Sequence, residues 1–396
     1  MLSPRRAQNI PLVNLLQPLR LSAPSKPDAV IVETPVILAP MAGVTNAAFR
    51  QLCAEQGAGL YICEMITARG LVMGDWKTAD MLTFADNEKV RSVQTYGADP
   101  ASIYVAVGIL CESFGVNHID LNFGCPVPKV TRKGGGGALP WKLDLMRSVL
   151  KAAVDSADRF GVPVTAKTRI GIDDKHTTYR DFGQIAQDVG VAAVCLHGRT
   201  VAEYYGGQAN WESIADLVEL LDIPVIGNGD IWEASDAIAM IEQTGCAAVE
   251  VGRGCLGRPW LFRDLADAMA GRETLTLPNL GEIAALARRH AQLLIKYRGE
   301  EHGMPDFRKH TAWYFKGFPL GGEMRQAFGM VSTLLQEYDE LVAQLDPSIE
   351  FPTKLLGKAR GRTGRGKRVA LPDSWLDSRS VEGFDMSGAE EHVDGG

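Results

Sequence analysis

Eight short apolar runs recur along this chain: Val36 to Ala39, Leu60 to Cys63, Ser92 to Tyr96, Ile119 to Asn122, Val164 to Thr168, Ala193 to Leu196, Pro224 to Ile226 and Ala248 to Val251. Runs of this length, bounded by turn residues and separated by amphipathic stretches, read as buried parallel strands joined by crossover helices. Helices are expected over 46–56, 100–115, 142–160, 178–189, 211–221, 233–244 and 259–270, and Asp99 before Pro100 supplies a cap and a first-turn proline for the second of them. Eight strands that alternate with helices point to an α/β chain folded as a (β/α)8 TIM barrel. The alternative is an open doubly wound sheet, disfavoured because every unit turns the same way and eight units close a ring.

After Gly271 the strand-like runs stop, and Glu282 to Gly299 and Glu323 to Leu345 read as amphipathic helices around a piece rich in Trp, Tyr and Phe. The division expected is an N-terminal extension (1–34), a catalytic barrel (35–272), a helical domain (273–353) and a tail (354–396) that is first basic, then acidic. Its Gly/Arg-rich run lacks a hydrophobic pattern, so disorder is expected there. The net charge of −7 argues against an RNA partner only until it is apportioned: seven acids after residue 368 (Asp373, Asp377, Glu382, Asp385, Glu390, Glu391, Asp394) stand against Arg379 alone. The other 368 residues carry about −1, and 354–368 holds Lys354, Lys358, Arg360, Arg362, Arg365, Lys367 and Arg368 with no acid. No apolar stretch is long enough to span a membrane, and the seven cysteines lie apart with no Cys-x-x-Cys pair, which suits free thiols in a reducing cytoplasm and no metal knuckle.

In such a barrel chemistry gathers where strand C-termini meet their loops. These ends read Ala39-Pro40-Met41-Ala42-Gly43, Gln94 to Gly97, Asn122-Phe123-Gly124-Cys125-Pro126, Lys167-Thr168-Arg169, His197-Gly198-Arg199, Asn228-Gly229-Asp230 and Gly252-Arg253-Gly254. The last two loops suit a phosphate, because glycines let backbone N–H groups approach and Arg253 adds a fixed cation. Taken singly, each is equally well a simple turn. Lys167 in an apolar mouth needs an anionic partner, for which the edge of a reduced flavin would serve; Gln94 can bond the opposite ring edge, and Pro40-Met41-Ala42 offers an apolar floor. A sugar-phosphate barrel with Lys167 as a Schiff base fits the phosphate loops but leaves Asn122 and Cys125 without a task. A lone cysteine is more often a small buried apolar residue; Cys125, at the head of a loop containing Gly134 to Gly137, also suits a mobile general acid.

The pieces 38–46, 119–126, 167–169, 197–200, 227–231 and 252–262, in this order and spacing, resemble the tRNA-dihydrouridine synthase family from about Leu38 to Leu345. Arg308-Lys309-His310, Trp313-Tyr314 and Gly317 make the bacterial B class the most similar. The resemblance implies FMN reduced by NADPH or NADH, hydride transfer from flavin N5 to uracil C6 in tRNA, and protonation of C5 by Cys125. It implies FMN contacts at Pro40, Met41, Ala42, Gln94, Lys167, His197, Asn228, Gly229, Asp230, Gly252 and Arg253, with Asn122 and Arg169 at the uracil edge and Lys129 and Arg132 beside the RNA. A monomer is expected. The glycine run 134–137 is richer than the family pattern and suggests looser loop closure, while Cys255 stands where a small apolar residue is usual and reads as structural. His290 and His302 read as packing or surface histidines.

Hydride addition at C6 leaves enolate character across C5 and O4, which calls for an oxygen donor and an acid, roles that Arg169 and Cys125 suit. The aromatics and cations of Phe307 to Phe318 suit either an RNA face or a bundle core, and the resemblance favours RNA; the basic run 354–368 can follow a phosphate backbone or be a plain soluble tail. Two other readings stay open. An FMN barrel acting on a free pyrimidine, such as a dihydroorotate dehydrogenase, predicts no helical RNA-binding domain. An RNA-binding protein with an inactive barrel predicts loss of Cys125 or Lys167, and both are present.

Overall fold

The computed structural model describes residues 17–57, 59–75, 78, 80–272, 275–361, 363, 364, 366–384 and 386. Arg362, Arg365, Asp385, Glu390, Glu391, Asp394 and the first 16 residues of the extension lie outside the described residues.

A hairpin precedes the barrel, β1 (Leu19–Ala23) pairing antiparallel with β2 (Lys26–Val32). The eight expected runs then form β3 (Val36–Leu38), β4 (Leu60–Thr67), β5 (Ser92–Tyr96), β6 (His118–Phe123), β7 (Val164–Arg169), β8 (Ala193–His197), β9 (Val225–Asn228) and β10 (Ala248–Val251). They run parallel in sequence order, and β10 pairs with β3 to close the ring. Each strand is short and mostly buried on both faces, which is why the runs lack a regular apolar/polar alternation; their polar members, such as Gln94 and Glu250, are buried too. The seven expected crossover helices are present within two or three residues of their expected ends, and Asp99 does accept from the N–H groups of Ala101 and Ser102.

The hairpin was not foreseen. Leu19, Leu21, Val30 and Val32 alternate with exposed residues and pack on Ile37, Leu60, Ile62, Cys195 and Ile226, so the extension plugs the N-terminal end of the barrel. All catalytic traffic is thereby left to the opposite face.

The helical domain begins at the Asn279 capping box and runs from Leu280 to Tyr314, broken at Gly299, whose φ of +72° is open to glycine. Its core is continuous with the barrel helix Ala47–Ala54 through Ala48 and Leu52. Phe307, Tyr314, Phe315 and Phe318 are at most 2% exposed, so these aromatics are bundle core and offer no stacking surface to RNA. His290 and His310 are buried against each other, 4.4 Å between ring centres, while His302 is exposed. The helix expected from Glu323 to Leu345 is broken into Gly321–Phe328, a wide turn at Leu334–Tyr338 and Asp339–Val342. Ser332 bonding Glu337 and Leu334 donating to Glu300 satisfy the backbone outside a helix there.

The expectation of a disordered tail is overturned for its described residues. Arg360 is buried with bonds to the carbonyls of Leu256 and Trp313, and Trp375 is 1% exposed in a small core with Ala138 and Ile172. A few well-placed anchors order a segment that has no periodic pattern.

Candidate active site

Lys167 leaves β7 at the barrel mouth with Nζ 2.6 Å from Glu250 Oε2 and donating to Asn228 Oδ1 at 2.9 Å. Its anionic partner is therefore a carboxylate of the chain, where a flavin edge was expected; a buried ammonium needs a counter-charge in every state of the enzyme. Burial lowers the pKa of Lys167, but Cys195 and Glu250 outweigh it and the net direction is upward. Beneath lies Asp120, whose carboxyl is raised to about 7 by burial and then by Glu250. Asp120 accepts from Thr165 at 2.6 Å and from Gln94 Nε2 at 2.7 Å, and Gln94 Oε1 accepts from Asn122 Nδ2 at 2.9 Å. The Gln94 amide is thus fixed from both ends.

Asn122 Oδ1 accepts from the N–H groups of Gly124 and Cys125, both at 3.0 Å, so it shapes the turn that presents the thiol. Arg169 braces the same turn, Nε donating to Gly124 O at 2.8 Å, while its Nη1 bonds the carbonyls of Thr200 and Tyr204. Burial lowers its pKa to about 10, so it is a cation at neutral pH. Cys125 is 9% exposed, and burial pushes its thiol up against the opposing pull of the Val127 N–H and Arg169. It remains a neutral thiol.

The glycine run does not loosen the loop. Gly137 donates to Cys125 O at 3.0 Å, and a Cβ there would lie 2.4 Å from Val201 Cγ2. At Gly136, with φ +52°, a Cβ would meet Cys125 O at 2.9 Å, and at Gly134 it would meet the Trp375 ring at 2.6 Å. The glycines permit close approach, which tightens the packing.

Beside this centre a cavity of about 580 Å³ opens between the ends of β8, β9 and β10, lined by Arg199, Tyr205, Asp230, Trp232 and Arg253 among others. Arg199 Nη2 donates to both oxygens of Asp230 at 2.7 and 2.8 Å, and Arg253 lies over the rings of Tyr205 and Trp232 at 4.7 and 5.2 Å. His197 is held neutral, its pKa well below the ordinary value through burial and the cations Arg169 and Lys167. At Gly252 a Cβ would fill the space beside Ala39 and Met41, 3.6 and 3.7 Å away, and Cys255, which is fully buried, donates to its carbonyl. Pro40 and Met41 are half-buried and Ala42 is exposed, in a turn held by the Met41 N–H donating to Thr45 Oγ1 at 2.9 Å. Lys129 and Arg132 are exposed on the rim, on and just after the short helix Pro128–Thr131.

The sequence reading missed Glu250, Asp120, Tyr205 and Trp232 as members of the site, and named Arg199 only as a strand-end residue without a role. Glu250 and Asp120 did leave a signal, an acid inside the apolar runs Val-Glu-Val and Ile-Asp-Leu, where a buried acid needs a polar partner inside the barrel. Among the described residues no group of His, Cys, Asp or Glu is disposed to hold a metal, and no helix is long and apolar enough to cross a membrane.

A closed parallel barrel with a buried lysine, a presented thiol and an arginine-lined cavity at its C-terminal face is an enzyme of the TIM-barrel class. The dihydrouridine synthase (Dus) family model matches residues 37–349. The chain is 51% identical over 368 residues to a probable tRNA-dihydrouridine synthase of Mycobacterium tuberculosis (strain H37Rv), covering 90% of this chain and 94% of that one. It is 36% identical over 311 residues to tRNA-dihydrouridine synthase B of Escherichia coli (strain K12), covering 78% and 96%. A histamine dehydrogenase from Rhizobium sp. 4-9 superposes with a TM-score of 0.50 at 13% identity, over 71% of this chain and 51% of that one, a likeness of fold. The chain belongs to the dihydrouridine synthase family.

Proposed function

We propose that this enzyme reduces the 5,6 double bond of particular uridines in tRNA, using FMN reduced by NADPH or NADH, with Cys125 as the acid that protonates C5. The observation carrying the reading is the Cys125 turn: a neutral thiol, presented by Asn122 and Arg169 at the end of β6, between the strands that carry Gln94 (β5) and Lys167 (β7). The matched relatives named for tRNA dihydrouridine synthesis supply the substrate class.

The residues present fit FMN. Arg253 suits its phosphate at the arginine-lined cavity, with Asp230 orienting Arg199 alongside, and Gly229 and Gly252, each one residue before a lining residue, would give the backbone room for the cofactor. Lys167, Gln94, Asn228 and the neutral His197 suit the polar edges of the ring system, and Pro40, Met41 and Ala42 its apolar face. When bound, FMN supplies the hydride for uracil C6 from its N5. The chain's own part is then the proton: Cys125 Sγ holds it for C5, and Arg169, whose Nε and Nη1 are committed to backbone carbonyls, keeps Nη2 to donate to the uracil oxygen as negative charge grows there. Lys129 and Arg132 on the rim meet tRNA phosphates, and the target base leaves its stack to reach the thiol.

Anaerobic spectroscopy tests this reading. NADPH should bleach the flavin of the purified protein, and tRNA lacking dihydrouridine should restore its colour. Restoration by free uracil or orotate and not by tRNA would transfer the chain to the small-pyrimidine dehydrogenases.

A further inference from the structure

The family match ends at residue 349, and the described residues between Thr353 and Phe384 then lie across the catalytic face. Gly357 N–H donates to Glu233 at 2.9 Å, Ala359 and Thr363 line the arginine cavity, and Lys367 N–H donates to Ala202 O at 2.8 Å. The segment ends on the loop that follows Cys125. There the six-membered ring of Trp375 abuts Gly134, where a Cβ would lie 2.6 Å from the indole, and its Nε1 donates to Ala138 O at 3.0 Å. Lys142, fully buried, sits 4.7 and 4.1 Å from the ring centres of Trp375 and Phe384 and donates to Ser378 O at 2.8 Å. Arg379 bonds Trp141 O at 3.1 Å and Asp181 at 2.7 Å, and Leu143 N–H donates to Arg379 O at 2.9 Å.

From this clamp to the thiol the path is short. Gly136 and Gly137 lie between Ala138 and Cys125, the first packed on the Cys125 backbone and side chain, the second bonded to its carbonyl at 3.0 Å. A loop with four consecutive glycines has many conformations available, and something must select one. We propose that Trp375 is a positioning residue: the tail is a strap, and its indole fixes the glycine loop so that the Cys125 thiol is held where the proton is needed. The proposal rests on the reading of Cys125 as the acid. The strap adds no group to the chemistry; it removes the conformational search that would otherwise precede each proton transfer.

The test uses the full-length flavin-loaded protein with Trp375→Ala, Trp375→Phe and Arg379→Ala, followed by hydrogen–deuterium exchange of peptides spanning 125–142 and by steady-state kinetics on tRNA. Trp375→Ala should raise exchange in that loop by about tenfold or more without raising it in the barrel strands, and should lower kcat about tenfold with KM for tRNA within about twofold. NADPH oxidation with oxygen as acceptor should be unchanged, and Trp375→Phe should recover most of the loss. Unaltered loop exchange, or raised exchange with unaltered kcat, would overturn the proposal. Should Trp375→Ala raise exchange throughout the barrel, Arg379→Ala decides: a loop unchanged in that folded variant also overturns it. A wild-type protein that leaves tRNA unreduced while the loop responds would instead remove the functional reading and leave the strap standing.

Discussion

At the scale of single residues, the site is organised by burial. The Cys125 thiol is driven up by desolvation, so it stays protonated through the neutral range. An acid must carry its proton to act, so the rate of tRNA reduction should fall only as pH climbs above the ordinary thiol range; a pH–rate profile that drops near neutrality and is governed by this thiol would contradict the assignment. Glu250 neutralises Lys167, and Glu250→Gln removes the carboxylate 2.6 Å from the ammonium, leaving it with Asn228, Cys195 and the more distant Asp120. We expect a loss of about 3–5 kcal/mol in urea denaturation, and a change within about 1 kcal/mol would show that the pair is not needed. Asp120 gives a pH signature of opposite sense to most carboxylates. Its folded pKa of about 7 exceeds the unfolded value near 4, so its stabilising contribution is complete below about pH 4 and lost as pH rises through about 7. Asp120→Asn should flatten that part of the Tm-versus-pH curve. Most residues of this centre were legible as polar groups at strand ends. Glu250 and Asp120 were visible only as acids inside apolar runs, because position on a strand reveals burial but not which neighbour a side chain meets across the barrel.

At the scale of elements, the barrel strands were legible because a strand covered on both faces is mostly apolar along its length, and such runs stand out even where a polar site residue interrupts them. The N-terminal hairpin hides its signal in two short alternating strands. Its test is Leu21→Ala: Leu21 is fully buried in the barrel's lower end, and its truncation should cost about 2–4 kcal/mol, read as a lower Tm. The glycine run was misread for a physical reason. Glycine serves freedom and close approach alike, and only the neighbours, Val201, Cys125 O and Trp375, decide between them. Gly137→Ala should therefore destabilise the protein and slow tRNA reduction, whereas a gain in stability would restore the looser loop.

At the scale of the whole molecule, three parts converge on one face: the barrel supplies the pocket, the helical domain docks beside the first strand's turn through Asn46 and Asp306, and the tail closes over the rim. The first two were legible from pattern and order of motifs. The tail was not, since a lone Trp375 in a polar segment has no period to betray a packed role, and charge alone suggested a free basic arm. Lys354, Lys358, Lys367 and Arg368 are exposed along it, so the segment carries a row of solvated cations beside its buried anchors Arg360 and Trp375. The whole account depends on uridine reduction by a flavin with Cys125 as the acid. The most direct measurement is mass spectrometry of tRNA incubated with the protein, FMN and NADPH, beside Cys125→Ala. The account predicts a gain of about two mass units at a uridine with the wild type and none at comparable times with the variant. An equal gain from both, or none from either, would contradict it.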